Sequence, residues 1–237
     1  MVPSMRVAAL YSGGKDSTYA LHWGFLQGHD IVCLVSIRPR EYSMLLHYPC
    51  IEATLYQAKA MGFDILYASS GDNEEHALYN LLKRAMEEYG VRGVIAGVLL
   101  SDYQRMRIAC ITEKLGLALY TPLWRIDQEK YMYEVIGNGI KFIITSISSY
   151  GLSPKYIGRI ITPKLLHEMI GVARRYGLNP AFEGGEAETL VVDAPLFRYK
   201  LRIRGKLVVK GPWEAQLVIE EIGLGDRPVV VVEDGGL

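Results

Sequence analysis

Arg6-Val7-Ala8-Ala9-Leu10-Tyr11-Ser12-Gly13-Gly14-Lys15-Asp16-Ser17 runs from a compact apolar segment through a double glycine into a helical pattern. Residues 6–11 read as a buried strand. Residues 16–27 carry Tyr19, Ala20, Trp23 and Leu26 at helical spacing and stop at Gly28. Two adjacent glycines let the backbone turn tightly and bring bare N–H groups close to a ligand. The helix start adds partial positive charge and unpaired donors. Ser12 and Ser17 supply hydroxyls and Lys15 a cation, so 12–17 reads as a cradle for a phosphate chain. Asp16 either caps the helix or helps hold Mg²⁺. The segment is not a Walker A loop, because Asp16 stands where that pattern needs Ser or Thr after Lys. It also lacks the GxGxxG dinucleotide fingerprint.

The same alternation continues outward. Strands are expected at 31–37, 65–68, 93–97 and 118–120, with helices at 51–61, 74–89 and 103–115. Strands separated by helices mean βαβ units. Runs that are apolar throughout mean parallel strands covered on both faces, so the fold class is α/β. Ligands in such sheets sit at the carboxyl ends of strands, which singles out the loops after Tyr11, Ile37, Ala68, Gly97 and Tyr120. The pattern changes near Thr121-Pro122, which divides the chain into domains 1–121 and 122–237. The second part reads as a smaller α+β lobe. It has helices at 127–137 and 163–176 and strands at 141–147, 190–192, 199–203 and 206–209, the last two forming a hairpin over Arg204-Gly205. Residues 228–232 are β-rich.

The chain has 237 residues, half of them apolar, and its 26 basic side chains balance 26 acidic ones. This argues against a large basic face for nucleic acid and excludes a long charged tail. Cys33, Cys50 and Cys110 make no CxxC pair, so neither a zinc ribbon nor a redox pair is encoded, and all three are expected to be small buried residues. No apolar run approaches the length of a membrane helix or a signal peptide, which points to a cytoplasmic protein.

A second feature is Glu183-Gly184-Gly185-Glu186-Ala187-Glu188-Thr189, continuing to Asp193-Ala194-Pro195-Leu196-Phe197. Three carboxylates around a double glycine face water, a metal or a cationic ligand. In a strand starting at Glu186, Glu186 and Glu188 would share one face. The plainer alternative is a solvated turn before an edge strand.

The loop at 12–17 resembles the SGGxDS pyrophosphate loop (PP-loop) of the ATP pyrophosphatases, which split ATP between its α and β phosphates and adenylate a substrate oxygen. The acidic segment resembles the EGGEYETLVLDxPLF signature of the archaeal and eukaryotic diphthine–ammonia ligase family. Ser101-Asp102-Tyr103-Gln104-Arg105-Met106-Arg107 with Cys110, Leu115-Gly116-Leu117 and Pro122-Leu123-Trp124 is similar to that family's SDYQRxR…C…LGL…PLW block, and Ser43-Met44-Leu45-Leu46-His47 to its SYMFH segment. The chain departs from the family pattern at Ala109, Phe182 and Ala187, where Glu, Gly and an aromatic are usual.

The resemblance implies an adenine-nucleotide-binding PP-loop domain followed by a substrate-binding lobe. The implied reaction is the ATP-dependent amidation, with ammonium, of the diphthine carboxylate on translation elongation factor two. Ser12, Gly13, Gly14, Lys15, Asp16 and Ser17 would bind ATP, joined by Ser36, Gly97, Tyr103, Gln104 and Arg105. Lys15, Asp16 and Arg107 are the candidate catalytic residues, with Arg107 or Arg105 clamping a phosphate or the carboxylate. Asp16 is the candidate Mg²⁺ ligand. His47, Glu183, Gly185, Glu186, Glu188 and Thr189 are the candidate substrate residues. Glu186 and Glu188, with Trp124 or Tyr103, would receive the trimethylammonium group of diphthine, or else orient ammonium or hold a metal. The absence of a Cys near the N-terminus and of a glutaminase-sized module leads to free ammonium as the nitrogen source. No nucleic acid or membrane partner is expected, and a homodimer is allowed for. A tRNA-modifying ATP pyrophosphatase, a small-molecule amide synthetase and a non-catalytic adenine-nucleotide sensor stay open as alternatives.

Overall fold

Val7, Ala8 and Ala9 are at most 1% exposed, and the strand they form, β1 (Arg6–Leu10), lies in the middle of a five-stranded sheet. The computed structural model describes residues 4–38, 52–69 and 73–235. They divide into two units, the first ending at Arg125 and the second beginning at Ile126. In the first unit β1 leads to α1 (Lys15–Leu26), β2 (Asp30–Arg38), α2 (Ala53–Met61), β3 (Ile65–Ser69), α3 (Glu74–Tyr89), β4 (Gly93–Ile95), α4 (Asp102–Lys114) and β5 (Ala118–Tyr120). The strand order is β3-β2-β1-β4-β5 and every pairing is parallel, as the unbroken apolar runs require. One face of the sheet packs Cys33, Val35, Leu66 and Val94 against Leu78, Leu82 and Ala85 of α3.

The chain lays down β2 and β3 on one side of β1 and then returns to place β4 and β5 on the other. The reversal falls between β1 and β4. The carboxyl edge at such a reversal is where α/β sheets of this kind bind ligands. The two loops at that edge begin at Tyr11 and Ala96.

The second unit contains α5 (Gln128–Gly137), β6 (Lys141–Ser148), α6 (Pro163–Tyr176), β7 (Ala187–Asp193), β8 (Lys200–Gly211), β9 (Glu214–Gly225) and β10 (Val229–Asp234). Asp127 caps α5 by accepting from the Lys130 N–H at 2.8 Å, and Thr162 caps α6, whose first residue is Pro163. The five strands form a mixed sheet in the order β10-β8-β9-β6-β7, with only the β8–β10 pairing parallel.

The expected hairpin over Arg204-Gly205 is overturned. Residues 200–211 are one strand, and the turn lies at Pro212-Trp213. Gly205 sits at a register shift of the β8–β9 ladder, and a Cβ there would fall 2.4 Å from the Val218 carbonyl oxygen. The glycine therefore marks a bulge where two backbones approach closely. β9 escaped the sequence reading because Gln216, Glu220 and Glu221 interrupt its apolar residues. The cysteines also divide: Cys33 is buried, whereas Cys110 is exposed on the outer side of α4, contrary to expectation. Cys50 lies outside the described residues. Among the described residues no helix is long and apolar enough to cross a membrane.

Candidate active site

The turn after β1 is held by its own hydroxyls. The Ser12 N–H donates to Ser17 Oγ at 3.2 Å, the two serine hydroxyls lie 3.1 Å apart, and Ser17 Oγ donates to the Gly14 carbonyl at 3.2 Å. Gly14 is the N-cap of α1, and no side chain caps that helix. A helix start without a side-chain acceptor presents N–H donors and partial positive charge to whatever occupies the loop. Lys15 is 3% exposed, and its Nζ lies 3.0 Å from Asp16 Oδ2. A buried ammonium is costly unless paired, and the Asp16 carboxylate is one partner it has here.

Three neighbours fix this turn from outside. The buried Gln57 of α2 donates from Nε2 to the Gly13 carbonyl at 3.0 Å. Tyr11 and Thr18 share a buried hydrogen bond of 3.1 Å, and burial pushes the Tyr11 phenol well above its usual range, so it stays neutral. Gly97 backs onto α1: a Cβ there would lie 2.5 Å from the Asp16 carbonyl. Only glycine lets the loop after β4 come this close to the loop after β1. Ser36, near the end of β2, is buried, with its Oγ 3.5 Å from Thr54 Oγ1 of α2.

The start of α4 carries the remaining nucleotide candidates. Ser101 caps the helix by accepting from the Gln104 N–H at 3.2 Å. The Arg107 guanidinium pairs with Glu75 of α3 and lies 4.3 Å from the centre of the Tyr103 ring. Arg105 instead stacks on Trp124 at 4.8 Å and pairs with no carboxylate among the described residues. The Nε atoms of both arginines are buried without a hydrogen-bond partner among the described residues. A buried N–H left unpaired costs about 1–3 kcal/mol, which an anionic ligand would relieve. His47 and the segment around it lie outside the described residues.

In the second unit the acidic segment separates into two parts. Glu186 precedes β7, and its carboxylate turns back on its own loop. Oε1 accepts from the Asn179 N–H at 2.9 Å and Oε2 from the Gly184 N–H at 2.8 Å. Glu188 sits within β7 opposite Ser146, followed by Thr189 opposite Ile144. The shared strand face expected of Glu186 and Glu188 is therefore replaced by one loop clip and one ladder residue. Glu183 and Gly185 lie in the turn before Glu186, where the Gly185 carbonyl accepts from Ser148 Oγ at 2.7 Å. Phe182 has φ +66°, a conformation in which side chains are strained by about 1–2 kcal/mol. This accounts for the glycine usual at that position; here the phenyl ring is buried, which offsets the strain.

Sequence reading named the loop residues and missed Thr18, Thr54 and Gln57, all fully buried polar side chains. Thr54 and Gln57 are three apart on α2, and that spacing on an otherwise apolar face was the available signal.

Residues 5–119 match the model of the diphthamide synthase N-terminal domain, and residues 127–223 that of the diphthamide synthase C-terminal domain. The chain is 33% identical over 220 residues to the diphthine–ammonia ligase of Mus musculus, covering 83% of this chain and 82% of that one. The Danio rerio protein of the same name is 34% identical over 226 residues, covering 84% and 86%, and the Homo sapiens one 32% over 228, covering 86% and 85%. Among solved structures, the chain is similar to a protein described as a predicted subunit of tRNA methyltransferase from Methanocaldococcus jannaschii. That likeness has a TM-score of 0.42 at 18% identity and covers 81% of this chain and 98% of that one. With both domain models matched in order and the relatives aligned over most of their length, the chain belongs to the diphthamide synthase family of ligases.

Proposed function

We propose that the chain amidates the carboxylate of diphthine on translation elongation factor two, with ATP and ammonium as co-substrates, in the cytoplasm. The observation that carries the ATP half is the loop at 12–17, a buried lysine beside an uncapped helix start at the switch point of a parallel sheet. The N-terminal unit is then the nucleotide-binding domain, and the C-terminal unit with its acidic loop recognises the substrate.

A carboxylate oxygen attacks the α-phosphorus of ATP, and the bond to the bridging oxygen breaks to release pyrophosphate. Charge grows on that leaving group, where Lys15 and the first N–H groups of α1 stabilise it. Ammonium gives up a proton to water, ammonia attacks the acyl carbon, the C–O bond to AMP breaks, and the nitrogen loses a second proton to water, leaving the amide. Of the two arginines, Arg105 is the better phosphate clamp, because Glu75 already neutralises Arg107. Among the described residues no group of three or more ligating side chains forms a metal cage. Mg²⁺ would therefore be held by Asp16 together with the nucleotide phosphates, in the manner usual for this ion. When bound it neutralises phosphate charge. Ser36 and the loop after β4 would serve the rest of the nucleotide, and His47, Glu183, Gly185, Glu188 and Thr189 the diphthine side.

The test is to incubate the pure chain with MgATP, ammonium and elongation factor carrying diphthine. A loss of about 1 Da on the modified peptide, with one AMP and one pyrophosphate per event, is expected. AMP without the mass change would point to another acceptor, such as a tRNA or a small acid. No AMP with any acceptor would leave a nucleotide sensor.

A further inference from the structure

Gly13 and Gly14 stand at φ +82° and at φ −78°, ψ 171°. Neither carries a side chain, so the peptide group between them has few restraints of its own. Turning it over changes ψ of Gly13 and φ of Gly14, and glycine tolerates both changes. The C=O and N–H of a trans peptide point in opposite directions. One orientation offers an anion the Gly14 N–H. The other offers it the Gly13 carbonyl oxygen, which repels it.

Gln57 of α2 selects between the two. Its side chain is fully buried, and its Nε2 donates to the Gly13 carbonyl at 3.0 Å. Its Oε1 lies 2.5 Å from the place a Gly13 Cβ would take, and Thr54 Cγ2 lies 3.3 Å from it, so the amide packs directly on the glycine. With the carbonyl drawn toward α2, peptide planarity sends the Gly14 N–H away from α2. Among the described residues that N–H makes no hydrogen bond. The helix that carries Gln57 is itself tied to the end of β2: Thr54 Oγ1 lies 3.5 Å from Ser36 Oγ, and the Glu52 carboxylate 3.0 Å from the Arg38 guanidinium. A donor locked by its own packing and backed by further contacts holds a backbone group more sharply than the loop could alone. The whole network lies within the first unit.

We propose that Gln57 is a positioning residue for phosphate binding: it locks the Gly13–Gly14 peptide with its N–H, rather than its carbonyl oxygen, turned toward the phosphates of ATP. Without the lock both orientations are populated, and apparent affinity falls by the fraction left in the competent one. The ATP part rests on the function proposed above; the peptide lock does not.

The first experiment determines crystal structures of the full chain without nucleotide, at about pH 9, as wild type, Q57M and Q57E. Met fills similar volume but donates nothing, and both peptide orientations are expected. An ionised carboxylate only accepts, so in Q57E the peptide is expected to turn over and place the Gly14 N–H on the introduced group. A peptide that keeps its wild-type orientation in both variants overturns the lock. The second experiment titrates the three proteins with the magnesium complex of α,β-methylene-ATP, which cannot be cleaved between its α and β phosphorus atoms. Q57M is expected to weaken binding about tenfold at every pH. Q57E is expected to bind close to wild type at about pH 5.5, where burial keeps the carboxyl protonated and its O–H donates to Gly13 as the amide does. By about pH 9 it is expected to lose about tenfold or more. Lys15 and Asp16, the charged groups of the loop that Gln57 faces, are present in all three proteins, so the ratio to wild type isolates the introduced carboxyl. Equal affinities, or the same loss in both variants at every pH, overturn the assignment, because a packing role alone has no such pH dependence. A wild-type chain that does not bind the analogue, with the peptide turning over in Q57E, overturns the nucleotide reading while the lock stands.

Discussion

Lys15 is the residue on which the phosphate chemistry turns. Its ammonium is 3% exposed and held beside Asp16, at the uncapped start of α1. Lys15→Met keeps the stem and removes the charge that meets the departing pyrophosphate. AMP formation is expected to fall about a hundredfold or more. A fall of less than about threefold would show that the lysine is not at the reacting phosphates. Loop chemistry of this kind is local, so Ser12, Gly13, Gly14, Lys15, Asp16 and Ser17 could be picked out from six consecutive letters. Gln57 could not. It reaches the same loop across 44 positions of sequence, and its Nε2–Gly13 bond exists only once α2 has packed beside the turn that follows β1. Arg107 illustrates the converse: its type and place suited a phosphate clamp, and the fold gave it Glu75 and Tyr103 as partners.

Among the elements, the loop that leads into β7 differs most from its sequence reading. Strand alternation suggested that Glu186 and Glu188 share a face, whereas the Glu186 carboxylate accepts two backbone N–H groups and fixes the turn. Glu186→Ala removes both bonds and is expected to destabilise the chain by about 2 kcal/mol in urea unfolding. A loss below about 0.5 kcal/mol would mean the clip is not formed in solution. In the first unit, elements were legible to within a few residues, because parallel buried strands are apolar throughout and amphipathic helices are not. In the second unit, β8 was split and β9 missed. Both are strands of a mixed sheet whose exposed positions carry charge, and Gly205 imitated a turn while serving a bulge.

For the molecule as a whole, the strand order β3-β2-β1-β4-β5 brings the 12–17 loop and Gly97 side by side at the carboxyl edge of one sheet. The sequence announced strands and helices in alternation, but the side of β1 on which β4 falls is decided by packing between distant segments. The core that fixes this order encloses Cys33, which is fully buried, its thiol pushed up to about 12 by burial and by the carboxylates of Asp64 and Glu88. At about pH 8 iodoacetamide is therefore expected to label the exposed Cys110 rapidly and Cys33 only as the unit unfolds. Equal labelling rates would contradict the packed sheet. The central claim, that this loop activates a carboxylate by adenylation, is tested most directly by isotope transfer. Diphthine labelled with ¹⁸O in its carboxylate is turned over with unlabelled ATP and ammonium, and the products are weighed by mass spectrometry. The account predicts one ¹⁸O in the phosphate of AMP. Label in inorganic phosphate, with ADP as the nucleotide product, would contradict it.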